Sequence, residues 1–427
     1  MLKYVTLTLS FLCLTLLVAN AALFEFTVIC MEDENHALHF SSYEQGILLG
    51  VISIGCILGT YPSIKLHDYF GFKYCFTLMG LLSAVGTLVV PLFGHMFYVI
   101  LLDQLIQGVA LASAFLALGV LPAAIGDDSQ SGFFGSILTC SMQLGPILVM
   151  PVSGCLCSSH FGWQGAYVLF SAFTTVAFLL FFVVYEKYTE RKQLSLIKGS
   201  YLEINSLHDE NENETSSVPY RLIFASASFW GLMFVDFGDT CGYQLFMFYG
   251  PTYLNKVLHY EIEETGFFAA VPHLLSMLSK TVGGFFLDRS SCVSAGLRTM
   301  LFIAVSEMGM VLSFAVLAFV TAETAFLGQV MLNMLTVFSG LAFIGMISGS
   351  HIVGQQYAYL LTSAIAVQDS IAGLAVPLLV SLIAPNYAEQ EWKLVFLVLT
   401  TMLLATTCAF LLLTKVEPAK WTMTQIK

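Results

Sequence analysis

Six acidic side chains and one basic side chain fall inside long apolar stretches of this chain. The acids are Glu25, Asp103, Asp236, Asp239, Glu307 and Asp369, and the base is Lys280. An ionisable side chain within the hydrocarbon of a membrane costs roughly 2.5–3.5 kcal/mol, so such groups usually face a cavity, a partner or a solute pathway. Carboxylates in that setting can take up and release a proton, or can coordinate Na⁺. Lys280 could pair with Asp369 or with Glu307, and the sequence alone does not choose between them.

Asp236 and Asp239 are the acids most closely spaced. Residues three apart on a helix project from nearly the same face, and two neighbouring carboxylates in a low dielectric cannot both ionise easily. We therefore expect one of them to hold an exchangeable proton. The structural alternative is a polar network with Tyr243 and Gln244 that only holds helices together. Glu25 occupies the corresponding part of the first apolar stretch and is a further candidate.

The composition of the chain indicates what kind of elements carry these charges. The chain has 427 residues, of which 57% are hydrophobic and only 10% are charged, with a net charge of −12 and a mean hydropathy of +0.82. A soluble protein carries roughly 25% charged residues. The composition therefore excludes most soluble classes, a disordered chain and a basic nucleic-acid-binding protein, and it predicts an all-α, multi-pass membrane protein.

Twelve stretches contain the roughly 20 apolar residues that a helix needs to cross a bilayer. They are predicted near 5–30, 46–66, 75–93, 98–123, 132–156, 165–185, 225–249, 265–287, 299–319, 325–349, 357–382 and 394–414. Ala19-Asn20-Ala21 resembles a signal-peptidase site, but the apolar run continues to Ile29, which favours an uncleaved first helix. The predicted organisation is one six-helix half at 1–185, a flexible cytosolic linker loop at 186–224, a second half at 225–414 and a cytosolic tail at 415–427.

The distribution of basic residues predicts the orientation in the membrane. All lysines and arginines except Lys256, Lys280 and Lys393 fall on the side of the membrane that holds both termini. The positive-inside rule therefore places both termini in the cytosol.

The two halves repeat a short pattern. Glu44-Gln45-Gly46, at the start of the second predicted helix, recurs as Glu264-Thr265-Gly266 at the start of the eighth, and Asp68 recurs as Asp288 at the same spacing. Repeated halves are typical of secondary transporters, whose binding site lies between the halves near the bilayer midplane.

No pattern in the sequence predicts an enzyme or a metal protein. The ten cysteines lie mostly in apolar runs, where a thiol behaves as a small hydrophobe, so no disulfide framework is predicted. The spacings H-E-x-x-H and G-x-S-x-G and a nucleotide-binding loop do not occur. We expect no catalytic activity, no cofactor and no metal site.

Several local motifs resemble one known family. Asp68, Gly71 and Lys73 are similar to the loop between helices two and three of the major facilitator superfamily. Other stretches resemble its sodium/phosphate, sialic-acid (sialin-like) and vesicular glutamate carriers. These are Gly266–Leu274, Phe229-Trp230, Pro251-Thr252-Tyr253, Met150–Gly154 with Gly162-Trp163, and Glu391-Trp392 with Val395-Phe396, while Phe26–Met31 looks like divergent nematode-type members.

This resemblance implies a fold, a function and a set of gating residues. The implied fold is a twelve-helix major facilitator bundle, and the implied function is secondary active transport of an organic anion or phosphate by alternating access, coupled to Na⁺ or H⁺. The implied gating residues, which would hold one face closed through ion pairs, are Lys65, Asp68, Lys73, Asp288 and Arg289. The carrier is expected to be monomeric and to reside in the plasma membrane or an endolysosomal or vesicular membrane.

The sequence also departs from the pattern of that family. Gln104 stands where the family carries the arginine of its R-x-x-Q-G motif in helix four, with Asp103 before it and Gln107 retained; these three are further candidates for the cavity. Asp239 stands where vesicular glutamate carriers have a second arginine. The resulting excess of acids indicates a second possibility, a proton-coupled carrier of a cationic or neutral solute. A transport-inactive receptor or scaffold is the third.

Overall fold

The structure is a computed structural model that describes residues 2–31, 40–93, 96–125, 137–203, 220–289 and 294–422. Twelve long helices account for most of these residues. They are α1 (Leu2–Met31), α2 (Ser42–Phe70), α3 (Phe72–Phe93), α4 (Phe97–Ile125), α5 (Ser141–Cys157), α6 (Gly162–Glu203), α7 (Ala227–Thr252), α8 (Ile262–Arg289), α9 (Ala295–Leu317), α10 (Ala325–Gly354), α11 (Ala358–Ile383) and α12 (Glu389–Leu413). The predicted all-helical architecture of twelve helices is confirmed.

Apolar composition and length explain why these segments form membrane helices. A helix satisfies every backbone hydrogen bond within one segment, which hydrocarbon requires. Among the described residues, ten helices are long and apolar enough to cross a membrane. The other two long helices, α7 and α8, have enough residues to span but are more polar, because they carry the Asp236–Asp239 pair and Lys280.

Two local sequence signals determine how α2 begins and ends. Ser41 and Glu44 cap its start reciprocally: the Ser41 amide donates to the Glu44 carboxylate at 2.9 Å, and the Glu44 amide donates to the Ser41 hydroxyl at 3.3 Å. At its end, Gly71 is the only residue between α2 and α3 and has a φ of 85°. A residue without Cβ adopts this angle readily, so the glycine of the family-like loop allows the chain to reverse in one residue.

The segment predicted as a linker loop is partly helical. Helix α6 does not end near residue 185 but continues to Glu203, and a short helix covers Tyr220–Phe224. The prediction of a loop throughout 186–224 is therefore wrong at both ends, because polar residues beyond the membrane extend a helix that the apolar stretch has already nucleated. Residues 204–219 lie outside the described part of the chain.

Each half is a helical bundle, and the halves meet along two helix pairs and through one hydrophobic core cluster that contains side chains of both. In the first half α1 packs on α5 and α6, and α2 packs on α4; in the second, α7 packs on α12 and α9 on α10. Between the halves, α2 packs along α11 and α5 along α8. We call the end of the bundle where α1 begins and α12 ends the terminal face, and the opposite end the distal face.

At the distal face, glycine positions of the sequence repeat bring the halves together. A Cβ on Gly46 would lie 3.0 Å from the Pro377 carbonyl oxygen and 3.3 Å from the Ser381 Cβ on α11. A Cβ on Gly266 would lie 2.6 Å from the Met150 carbonyl oxygen and 3.3 Å from the Gly154 Cα on α5. Equivalent glycines thus permit backbone contact in two symmetry-related places, which we call the distal seal.

Two hydrogen bonds reinforce the distal seal. The Gln45 side-chain amide on α2 donates to the Thr252 hydroxyl at the end of α7, at 3.3 Å. The Tyr387 hydroxyl, from the connection between α11 and α12, donates to the Gln45 carbonyl oxygen. Gln45 belongs to the repeated Glu-x-Gly pattern. One short motif therefore supplies both the close glycine packing and the residue that makes these two hydrogen bonds.

A disulfide between Cys30 and Cys157 joins the distal ends of α1 and α5. The Cα atoms of the two residues are 6.0 Å apart. The sequence predicted no disulfide framework because Cys30 and Cys157 lie next to apolar runs, like the buried free thiols of Cys13 and Cys75. This one bridge corrects that prediction: the packing of α1 on α5 brings together two residues that are 127 positions apart in the chain.

Candidate functional site

The carboxylates of Asp236 and Asp239 lie buried on α7 and take one hydrogen bond each from a different neighbouring helix. The Gln368 amide on α11 donates to Oδ2 of Asp236 at 2.6 Å, and the Ser339 hydroxyl on α10 donates to Oδ2 of Asp239 at 3.1 Å. Oδ1 of both residues is buried without a hydrogen-bond partner among the described residues. Each carboxylate is thus fixed by one oxygen, while the other can carry a proton.

Lys280 on α8 lies beside this pair. Its ammonium group is within electrostatic reach of Asp239 and of Asp369 on α11. It lies 4.8 Å from the centre of the Phe343 ring and 5.8 Å from that of Tyr243. Within the described ranges it forms no direct ion pair. The structure therefore answers the question left open by the sequence: the acids nearest to Lys280 are Asp239 and Asp369, not Glu307.

Asp369 is held in place by α7. The Thr240 hydroxyl donates to its Oδ1 at 3.2 Å, and the side chain is only partly buried. Thr240 follows Asp239 directly, so consecutive residues of α7 contact the acids and donors of two other helices. We call Asp236, Asp239, Lys280 and Asp369 the charged cluster.

The charged cluster faces the first half of the molecule. Tyr243, one turn beyond Asp239 on α7, interacts through its hydroxyl with Gln143 on α5 and lies within electrostatic reach of Glu25 on α1. Cys140, immediately before α5, is similarly close to Lys280. These contacts place the cluster at the boundary between the two halves, where the repeat predicts a transport site.

Glu307 on α9 extends the acidic group away from that boundary. It is fully buried, and neither carboxylate oxygen has a hydrogen-bond partner among the described residues. It lies within electrostatic reach of both Asp236 and Asp239. Its proximity to α7 depends on the packing of α9, which no local pattern in the sequence encodes.

The candidates on α4 are divided between two environments. Asp103 and Gln107 belong to a closed network within the first half: the Gln107 amide donates to Asp103 at 2.7 Å and to the Thr87 hydroxyl at 3.0 Å, and the Ser83 hydroxyl donates to Gln107 at 2.6 Å. Asn20 extends the network by donating to Ser83 at 3.0 Å and to Thr174 at 3.1 Å. This arrangement joins α1, α3, α4 and α6 and has the form of a structural network.

Gln104, Glu25 and Gln244 lie apart from that network. Gln104 is fully buried, and both polar atoms of its amide lack a partner among the described residues. Glu25 is also buried, and its Oε2 has no hydrogen-bond partner among the described residues. Gln244 is half-buried, and the described contacts include no hydrogen bond from it to the charged cluster. Of the two residues of the predicted polar network, Tyr243 lies within electrostatic reach of Asp239, and the network itself stays a prediction.

Sequence reasoning missed two neutral partners at this site, Gln143 on α5 and Gln368 on α11. Gln368 directly precedes Asp369, which is the one local signal that could have drawn attention to it. Gln143 becomes recognisable only when helices from distant parts of the chain are packed together. In the described part of the chain no group of three or more His, Cys, Asp or Glu residues is arranged to hold a metal ion.

Residues 7–375 match the description Major Facilitator Superfamily. The chain belongs to this superfamily. It is 23% identical to human sodium-dependent phosphate transport protein 1, over 89% of this chain and 80% of the relative. Two further similar proteins are uncharacterized transporter slc-17.3 of Caenorhabditis elegans, 22% identical over 86% of this chain and 70% of the relative, and human sialin, 22% identical over 89% and 77%. The family resemblance predicted from local motifs is confirmed.

Solved structures agree with the superfamily fold. A bacterial homolog of the human lysosomal transporter Spinster, in an inward-facing and unoccupied conformation, aligns with a TM-score of 0.73 and 13% identity, over 97% of each chain. The family match and the transporter relatives identify the chain as a secondary transporter of small solutes and not an enzyme.

Among the gating residues whose side chains are described, none forms an ion pair between the two halves of this superfamily member. Lys73 pairs with Glu186 at 2.9 Å, which links α3 to α6 within the first half. Lys65 and Asp68 are exposed at the terminal end of α2, and Arg289 lies 5.4 Å from the Phe285 ring of its own helix. The side chain of Asp288 lies outside the described part of the chain. The gating role of these residues stays a prediction.

Proposed function

We propose that this protein carries a small anion, an organic anion or phosphate, together with a proton by alternating access. The named relatives support the substrate class, since sodium-dependent phosphate transport protein 1 handles an anion. The charged cluster carries the proposal: it combines one ammonium group with buried carboxylates at the boundary between the halves. A basic group there can attract an anion, and a carboxylate with an unpartnered oxygen can carry a proton.

The coupling ion in this proposal is a proton rather than Na⁺. The carboxylates of the charged cluster accept hydrogen bonds from the neutral donors Gln368, Ser339 and Thr240. A hard cation such as Na⁺ favours several oxygen ligands converging on one point, whereas a proton needs a single free carboxylate oxygen. Oδ1 of Asp236 and Oδ1 of Asp239 meet that simpler requirement.

We place the protein in an inward-facing state with both termini in the cytosol. The distal seal supports this assignment, because its contacts close the end opposite the termini. The Cys30–Cys157 disulfide also lies at the distal face, and disulfides persist in oxidising compartments such as the cell exterior. The described side chains among the predicted gating residues form no ion pair across the halves at the terminal face, as expected where that face is open. A monomer in the plasma membrane or an endolysosomal membrane fits this arrangement.

One observation favours a second function. The charged cluster and Glu307 together contain four acids and a single base, so a fully ionised site would attract a cation and repel an anion. A proton-coupled carrier of a cationic or neutral solute is therefore the alternative. The two functions differ in which labelled solute accumulates.

Uptake into proteoliposomes tests the proposal. The purified full chain and its Asp239→Asn variant are reconstituted, and uptake of labelled phosphate, organic anions and organic cations is measured under imposed proton and sodium gradients. We expect anion uptake that follows the proton gradient in the wild type and loses that dependence in Asp239→Asn. Cation uptake would favour the alternative, and no uptake by well-folded wild type under either gradient would favour a receptor or scaffold.

A further inference from the structure

Lys280 is a basic side chain whose charge no direct ion pair neutralises among the described residues. Burying an ammonium group in a membrane protein is costly unless an opposite charge or a hydrogen-bond acceptor compensates it. The surroundings of Lys280 supply aromatic rings at 4.8 Å and 5.8 Å, but the nearest carboxylates act only at longer range. The group is thus placed to receive a negatively charged partner.

We infer that Lys280 binds the transported anion, and that Asp239 takes up a proton when the anion binds. The proton removes a negative charge beside Lys280, so that the ammonium group can attract the anion. This inference rests on the proposed function and specifies its site. The anion would contact the Nζ of Lys280, and the proton would bind the unpartnered Oδ1 of Asp239. No covalent bond forms or breaks in the solute: a proton passes from water to a carboxylate and later returns to water.

Charge balance around Lys280 explains why the two ligands bind together. The groups that face it are Asp239 and Tyr243 from α7, Asp369 from α11, Cys140 from the start of α5 and His273 from its own helix. Two carboxylates and one ammonium group already carry a net negative charge, so an anion added to that set would be repelled. Protonation of Asp239 makes the set neutral, and a monovalent anion then returns it to the net charge that it had before. Each ligand therefore favours binding of the other.

Asp239 is the better proton acceptor of the two carboxylates near Lys280. It is 4% exposed, whereas Asp369 is only partly buried and lies within electrostatic reach of Cys56 on α2 of the first half. Asp239 also has two further acids close by, Asp236 on the same helix and Glu307 on α9. A negative charge is more costly in such an acidic, dry environment than at Asp369, so the proton settles on Asp239.

The surroundings of Lys280 also restrict the class of anion. With Asp239 protonated, a monovalent anion returns the set to the net charge it had before, whereas a phosphate dianion would add one more negative charge beside Asp369. The rings of Phe343 and Tyr243 line the approach to Lys280 and can pack on the apolar part of an organic molecule. The geometry therefore fits a monovalent organic anion, such as a carboxylate, better than inorganic phosphate.

The test measures anion binding and proton uptake by the purified full chain in detergent. Gluconate, benzoate and inorganic phosphate are the probes, and a pH indicator in weak buffer reports protons taken up. For the wild type we expect binding of a monocarboxylate with about one proton per anion, and an affinity that weakens by up to about tenfold per pH unit as pH rises, the limit for one linked proton.

Four variants separate a binding role of Lys280 from a structural one. Lys280→Met should weaken binding at least tenfold, and Lys280→Arg should retain it. Asp239→Asn should bind the anion without proton uptake and with little pH dependence. Lys393→Met is the matched control, because this lysine also lies over a phenylalanine ring, that of Phe319 at 4.9 Å, but sits at the distal start of α12; it should bind like the wild type.

The double variant Lys280→Met with Asp239→Asn separates two roles of Lys280, balancing buried charge and contacting the anion. If Lys280 served only to balance buried charge, removing both charges would restore binding; if it contacts the anion, binding stays lost. Wild-type binding by a folded Lys280→Met variant, or recovery in the double variant, would overturn the inference and leave the proposed function intact. If the wild type neither binds nor transports any anion, the proposed function fails and the inference with it.

Discussion

At the scale of single residues, the two halves use buried polar groups differently. In the first half, Asp103 and Gln107 bond each other and the α3 hydroxyls of Ser83 and Thr87. In the second half, Asp236 and Asp239 each keep an oxygen without a partner among the described residues. A satisfied network stiffens a bundle, whereas an unsatisfied carboxylate can change its protonation. Glu25 of the first half also keeps such an oxygen, but Asp239 adds an ammonium group within electrostatic reach, so we expect the chemistry of coupling to reside in the second half.

Substitutions on α4 test this division. Asp103→Asn keeps an oxygen that can accept from Gln107, so uptake should stay within about twofold of the wild type. Gln107→Leu removes the partner of Asp103, Ser83 and Thr87 and should lower the free energy of unfolding by about 1–3 kcal/mol, the cost of leaving buried polar groups unpaired. Thermal unfolding in detergent and initial uptake rates measure both effects. A stable Asp103→Asn variant without uptake would place Asp103 in the coupling step.

Residue spacing predicted part of the site. The distance of three residues between Asp236 and Asp239 placed both on one helix face, and the structure confirms that they lie close enough to interact. The spacing could not predict Ser339 or Gln368 as donors, because they come from α10 and α11, roughly a hundred or more positions later. The contact of Glu307 with the pair has the same origin: it depends on helix packing, which no local pattern encodes.

At the scale of helices, the short repeat in the sequence corresponds to a repeated contact. Gly46 opens α2 and packs on α11, while Gly266 opens α8 and packs on α5. In each case the second helix of one half contacts the fifth helix of the other. The glycines allow backbones to approach closely, as small residues do between membrane helices.

Alanine substitutions on α8 test the role of this close approach. A Cβ at position 266 would lie 2.6 Å from the Met150 carbonyl oxygen, so Gly266→Ala must push α5 and α8 apart. We expect uptake to fall several-fold because the distal seal no longer closes. Gly284→Ala is the matched control on the same helix, where the nearest atom would be 4.0 Å away on Ile344. Equal uptake by both variants would argue against the seal.

Helix number was predictable from composition, whereas some helix ends were not. Twelve apolar stretches of sufficient length correspond to α1–α12, since hydrocarbon leaves no other satisfied backbone structure. The end of α6 at Glu203 was missed because outside the membrane the extent of a helix depends on propensity and solvent, not on apolar length. The disulfide was missed for a different reason: its cysteines resemble their apolar neighbours until α1 is packed on α5.

At the scale of the whole molecule, the halves close at the distal face while the charged cluster lies deeper, at their boundary. Alternating access requires the distal seal to open when the terminal face closes. The contacts of the seal are few and local: two glycine positions, Gln45 and its two hydrogen-bond partners. Opening the seal must also part some of the apolar side chains that form one core cluster across both halves.

A reversible cross-link tests whether opening of the seal is needed. A Cβ at position 46 would lie 3.3 Å from the Cβ of Ser381, close to the roughly 3.5–4.5 Å of a disulfide. Oxidising a Gly46→Cys, Ser381→Cys double variant should therefore lock the distal face and reduce uptake at least tenfold, and reduction should restore it. The wild type under the same reagents controls for its own Cys30–Cys157 bridge. Unimpaired uptake by the cross-linked protein would contradict alternating access at this face.

The most direct test of the account asks whether an anion gradient alone moves protons. Proteoliposomes holding the wild type and a pH indicator start with equal pH inside and outside, and a transported monocarboxylate is added outside. We predict acidification of the interior in the wild type and none in Lys280→Met or Asp239→Asn. Anion accumulation without any change of internal pH in the wild type would contradict coupling of the anion to a proton through the charged cluster.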